Sequence, residues 1–236
     1  MLCKIADLFV EISEAGGIAP RCVNYMADNR VEPDIKIDKE LYKPERWKGL
    51  SYEQAVYMES GLIFYAKLLK FGGMMLHSSA VELDGKAYLF SGPSGMGKST
   101  HARLWQQVFP EARVFNDDKP ALRKLDGIWY AYGTPWCGKD GININLKVPL
   151  AGICFLRRGE ENKLRRLSSL EAASAIISQT LRRFESDKGL ALMTETVDSL
   201  TRDIPVFELY CRPDTEAAIM SYEALSGFAR EVKNED

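Results

Sequence analysis

Histidine is nearly absent from this sequence, at two residues in 236, and the five cysteines (Cys3, Cys22, Cys137, Cys154 and Cys211) stand singly. No two are spaced CxxC and none sits at ligand spacing from a histidine, which excludes the usual zinc frameworks. An odd, dispersed set of thiols also excludes a disulfide scaffold and suits a reducing compartment, so a cytoplasmic protein is expected. An excess of one charge is lacking as well. Lys+Arg 31 against Asp+Glu 33 leaves a formal net charge of −2, with no electrostatic basis for nucleic acid or an anionic membrane as the main partner. Long apolar runs are missing. GLIFYAKLLKFGGMML is broken by lysine, VPLAGICFL is too short to span a bilayer, and MLCKIADLFVEISEAGG carries acids where a signal peptide needs an apolar core. The one basic stretch, RRGEENKLRR (Arg157–Arg166), reads as a solvated turn flanked by arginines.

What is present is the composition of a globular α/β protein, 46% hydrophobic and 27% charged. Residues 1–50 hold short strand-like runs (LCKIADLFVEI, RCVNYMA, EPDIKI) and read as a small β-rich region. Residues 51–236 read as the main domain. There, Ser51 is placed to cap a helix running to Gly72-Gly73, with apolar residues at near-helical spacing. MMLHSSAVEL and KAYLFSG flank Asp84-Gly85 as a hairpin, and PALRKL and IWYAYG flank Asp126-Gly127 as another. Between them lie a helix over HARLWQQVF and a strand over ARVFNDD. TPWCGKDGININLK reads as an irregular loop and VPLAGICFLRRG as a doubly covered strand. Helices over SSLEAASAIISQTLRRF and DKGLALMTETVDSLTRD, a strand PVFELYC and a last helix TEAAIMSYEALSGFARE follow.

The most informative stretch is SGPSGMGKST. Gly92-Pro93-Ser94-Gly95-Met96-Gly97-Lys98-Ser99 satisfies GxxxxGK[ST], and Thr100 follows. Glycines allow the backbone N–H groups to close on phosphate oxygens at a helix start, where unpaired donors and the macrodipole favour anions. Lys98 then reaches the β- and γ-phosphates, and the Ser99 hydroxyl suits Mg²⁺. Asp117-Asp118 closes the next strand, where a P-loop enzyme carries its metal-side acid. A pair of carboxylates can divide metal binding from proton transfer. Cys137 has no matched base and reads as a packed thiol. Arg182 and Arg183 at a helix end suit a phosphate clamp or the negative helix terminus equally, and are not counted in the site.

Together, HSSAVELDGKAYLFSGPSGMGKST and VFNDD resemble the catalytic core of the HPr serine kinase/phosphorylase family, whose nucleotide-binding core phosphoenolpyruvate carboxykinase shares. The resemblance covers roughly residues 74–157. It implies an α/β fold with a mixed central sheet flanked by helices, ATP and Mg²⁺ as ligands, phosphate binding by Gly95, Gly97, Lys98 and Ser99, and multimeric assembly. It also implies a general base at Asp117, a metal contact from Asp118 and a place for His77 near the reacting groups. His101 matches no role and reads as a surface residue. The family's Glu-Arg-Gly segment has no counterpart, so neither the phosphorylase reaction nor HPr as substrate is implied. At that position TPWCGK is the candidate acceptor site, with Lys139 neutralising phosphoryl charge, Trp136 as an apolar wall, and Gly138 and Gly141 allowing closure. The expected activity is phosphoryl transfer to a hydroxyl of a peptide, free serine or a polyol. A nucleotide-gated regulatory ATPase without an acceptor is the alternative. Carboxykinase-like decarboxylation ranks third, for want of an oxaloacetate constellation.

Overall fold

The computed structural model describes residues 1–28, 31–180 and 187–231, with side chains through residue 227. Arg182 and Arg183 lie outside the described residues. Strands β1 (Leu2–Ile5) and β2 (Leu8–Ile12) form an antiparallel hairpin whose turn residues, Ala6 and Asp7, both have positive φ. β3 (Ile35–Ile37) pairs with β2 in parallel. The run RCVNYMA, expected as a strand, instead lies within and beside 3₁₀ turns at Gly16–Arg21 and Val23–Tyr25. Its buried residues explain why. Ile18, Cys22 and Tyr25 recur every three to four positions, a helical period, and Pro20 removes a ladder donor.

Helix α1 (Tyr52–Leu68) begins at a reciprocal capping box between Ser51 and Gln54. Its Phe64, Tyr65 and Leu68 bury against Ile5, Val10 and Ile37 of the small sheet and against Trp136. The main sheet contains β4 (Gly73–Met75), β5 (Ser78–Leu83), β6 (Lys86–Ser91), β7 (Arg113–Asn116), β8 (Ala121–Leu125), β9 (Ile128–Tyr132), β10 (Lys147–Arg158), β11 (Lys163–Arg166) and β12 (Val206–Cys211). Its main path runs β4-β8-β9-β10-β6-β5-β7, with β12 joining β10 and β11 joining β12. β10 is the pivot. Its start pairs with β9 antiparallel, and its remainder pairs in parallel with both β6 and β12.

Helices α2 (Lys98–Val108) and α5 (Thr215–Glu231) cover one face, where Trp105, Ala102, Ala217 and Leu225 meet Val81, Phe90 and Cys154. Helices α3 (Ser169–Ser178) and α4 (Asp187–Asp203) contribute Ile176, Met193 and Leu200 to the core against Leu89 and Phe155. The result is a mixed α/β architecture of the kind expected. Among the described residues no helix is long and apolar enough to cross a membrane.

Two details differ from expectation. MMLHSSAVEL is not one strand: it breaks at Leu76-His77, because β4 pairs with β8 while β5 pairs with β6 and β7. The break is held by His77 N–H donating to Gln179 O. RRGEENKLRR does form a solvated turn flanked by arginines, but those arginines belong to strands instead of standing loose. β10 extends through Arg158, and β11 returns antiparallel to β12. Arg157 and Arg165 both donate to the buried carboxylate of Glu208, at 2.7–3.0 Å, so that charge is paired.

Candidate active site

β6 ends at Ser91 and the chain enters the loop that opens α2. Gly95 and Gly97 carry φ of +76° and +99° with no neighbouring atom near a hypothetical Cβ, so glycine is required there by conformation, not by space. Lys98 is largely buried. Its Nζ donates to Gly92 O at 2.9 Å and Pro93 O at 3.2 Å, so its ammonium lies over the crest of its own loop. Burial lowers the Lys98 pKa, against an attraction from Asp118 that raises it.

β7 delivers the opposing wall. Asn116 is fully buried, and its Oδ1 accepts from the N–H groups of Asp118 and Lys119 at 3.1 and 2.8 Å. This Asx turn bends the chain where the two carboxylates emerge. Asp117 accepts from Gly138 N–H at 2.6 Å and Asp140 N–H at 3.1 Å. Burial still pushes its pKa up, outweighing the lowering effect of those hydrogen bonds. Asp118 differs. Burial opposes its charge too, but a 2.8 Å contact to His77 Nε2 and an ion pair with Lys119 hold its pKa down at about 2.

The third wall is the loop after β9. A Cβ on Gly138 would stand 2.8 Å from Asp117 Oδ2, so only glycine lets this backbone reach the carboxylate. Tyr57 on α1 anchors the loop: its hydroxyl donates to Cys137 O at 2.8 Å and accepts from Cys137 N–H at 2.9 Å. Arg21 completes the anchor, donating to the Tyr57 hydroxyl and to Cys137 O while its guanidinium lies 4.7 Å from the Tyr57 ring centre. Burial raises the Cys137 thiol, the opposite of an activated nucleophile.

These walls enclose a cavity of about 660 Å³. Ser94, Gly95, Gly97, Lys98, Ser99 and Thr100 line one side, His77, Asp117 and Asp118 another, and Gly138 and Lys139 a third. Of the remaining P-loop positions, Gly92 and Pro93 offer carbonyls to Lys98, and Met96 packs toward the core of the α2 face. Trp136 does not form a wall. It is buried in the core, stacked on Phe64 at 4.8 Å and donating to Ser60 Oγ, because the loop directs its largest apolar ring inward. His101 is not a surface residue either. It is 3% exposed, bonded to Ser221 Oγ and packed on Phe90, and burial lowers its pKa to about 4.

Sequence reasoning missed Arg103 and Asp140, which line the cavity and form a 2.8 Å ion pair across it. Arg103 lies four positions after Ser99, on the same helical face, so its signal was present. The Arg21–Tyr57 anchor had none, since it joins residues 36 and 80 positions apart along the chain.

Comparison with known proteins adds the following. No curated protein matches the sequence. Among solved structures, the HPr(Ser) kinase/phosphatase from Coxiella burnetii is similar at a TM-score of 0.42 with 10% sequence identity, covering 69% of this chain and 94% of that one. Residues 48–213 match the family described as SynChlorMet cassette protein ScmC, a span that runs from the approach to α1 to the end of β12 and takes in every wall of the cavity, and the chain belongs to that family.

Proposed function

We propose that the protein is a kinase that transfers the γ-phosphoryl group of ATP to a hydroxyl acceptor. A serine of a peptide, free serine and a polyol share the chemistry. One observation carries this reading: two adjacent carboxylates share a cavity with the P-loop lysine and serine but sit in opposed electrostatic environments. A hydrolytic switch needs one acid and a positioned water, whereas a kinase needs a permanently anionic group and a separate proton acceptor.

In this reading the N–H groups at the start of α2 bind the phosphate chain, and Lys98 turns its ammonium from its own loop carbonyls to the β- and γ-phosphates. Asp117, aligned by Gly138 and Asp140, takes the acceptor proton as the acceptor oxygen attacks the γ-phosphorus. The bond to the β-phosphate oxygen breaks and ADP leaves with that electron pair. Lys139, on the cavity's third wall, would offset charge on the moving group. Ser99 and Asp118 are hard oxygen donors of the type Mg²⁺ takes, and the ion, when bound, would neutralise phosphate charge. His77 and Lys119 keep Asp118 ionised.

The test is a transfer assay with γ-labelled ATP and Mg²⁺ against pools of hydroxyl metabolites, free amino acids and serine-containing peptides. The expected result is a labelled phosphoester from one pool. Label released only as inorganic phosphate, whatever pool is added, would instead support the nucleotide-gated ATPase.

A further inference from the structure

The P-loop has a second side. A separate cavity of about 360 Å³ lies there, sharing Gly95, Gly97 and Thr100 with the first. Its walls come from α2, at His101 and Leu104, and from two strand ends, at Leu156 and Arg158 closing β10 and at Cys211 closing β12 with Arg212 and Pro213 beyond it. β6, β10 and β12 are parallel neighbours. The cavity therefore sits outside the carboxyl ends of three parallel strands, the place where open α/β sheets receive ligands.

Its chemistry differs from that of the first cavity. Met96, Leu104, Leu156 and Pro213 make it largely apolar. The two cations at its rim are already engaged: Arg158 donates to Gly95 O at 3.1 Å, and Arg212 pairs with Asp214 at 3.2 Å and Glu216 at 3.7 Å. His101 beneath is buried and uncharged at neutral pH. Such a site suits a flat, apolar-faced group, with the Arg158 guanidinium, bonded to a neutral carbonyl, still charged at its rim.

Position supplies the rest. A phosphate chain on Gly95–Thr100 has two ends, and the acidic cavity with Asp117 takes the reacting one. The other end leads past Thr100 to Leu104, one helical turn further on the same face of α2. We propose that this second cavity binds the base and ribose of the nucleoside triphosphate, with Leu104 and the polarisable Met96 against the base. The proposal rests on the phosphate-site reading above, and extends it to the residues that select a nucleotide over a bare polyphosphate.

The experiment compares binding of ATP, GTP and inorganic tripolyphosphate by calorimetry, with Mg²⁺, to the wild-type protein and to Leu104→Trp. Wild type should bind at least one of the nucleotides roughly tenfold more tightly than tripolyphosphate. Leu104→Trp should remove that advantage while tripolyphosphate affinity stays within about threefold. Photolabelling of the wild-type protein with an azido-purine nucleotide needs no variant, and should give adducts within residues 96–104 or 211–213. Equal wild-type affinity for nucleotides and tripolyphosphate, or adducts confined to other segments, would overturn the base site while leaving the phosphate site standing. Failure of wild type to bind any of the three ligands would overturn the phosphate-site reading and the base site with it.

Discussion

Asp117 and Asp118 are chain neighbours whose proton affinities diverge, and the cause lies in what each faces. Asp117 faces two backbone N–H groups and, among the described residues, no cation within hydrogen-bond reach, so burial dominates. Asp118 faces His77 and Lys119, so ion pairing dominates. His101, away from the acidic cavity, shows the same physics. Its folded pKa of about 4 lies below the ordinary 6.5, so below pH 6.5 the unfolded chain binds a proton that the folded one refuses. Stability is full above pH 6.5 and falls as pH drops toward about 4, by up to about 3 kcal/mol from the difference in pKa. Asp118 does not share that window, since its stabilisation declines only as pH falls from the ordinary carboxylate value toward about 2. Urea unfolding at a series of pH values should show the decline in wild type and its loss in His101→Gln, which retains a partner for Ser221. An unchanged slope in the variant would show that another group titrates there.

At the scale of elements, the loop after β9 joins three parts of the chain. Its Gly138 and Asp140 N–H groups hold Asp117, and its Cys137 is held by Tyr57 from α1 and Arg21 from the 3₁₀ turn before it. Tyr57→Phe keeps the ring under the guanidinium but removes a donor and an acceptor. Each hydrogen bond is worth about 1 kcal/mol, so the fold should survive. With a looser loop, Asp117 loses the bonds that lower its pKa, so the acid limb of the pH–rate profile should move to higher pH. Turnover should fall about tenfold with KM for ATP within about threefold. A variant with lower thermal stability but an unchanged profile would show that Tyr57 only supports packing.

At the scale of the whole molecule, the elements that sequence made legible are those whose signals are local. The capping box at Ser51, the Asp-Gly turns at Asp84 and Asp126, and the P-loop between β6 and α2 all specify their own geometry. Signals that depend on distant partners were not legible. His101 gave no hint of burial because Ser221, its partner, lies 120 positions away on α5. The sequence places Trp136 at the cavity because its loop is recognisable, whereas its direction is set by Phe64 and Ser60 on α1. The exposed turn within Arg157–Arg166 is legible, but the pairing of Arg157 and Arg165 is not, because the buried Glu208 that holds them arrives from β12. The acidic pair and the lysine are readable as types and spacings, and the resemblance implies which carboxylate takes which role, but the opposed environments of Asp117 and Asp118 that support this division are visible only in their surroundings.

That division is the central claim, and one comparison tests it most directly: single-turnover phosphoryl transfer and ATP affinity measured side by side for wild type and Asp117→Asn. A positioned general base contributes roughly 10²–10⁴-fold. The account predicts a loss of transfer in that range with ATP affinity nearly unchanged. If Asp117→Asn retained most of its transfer rate, the assignment of proton acceptance to Asp117 would be contradicted.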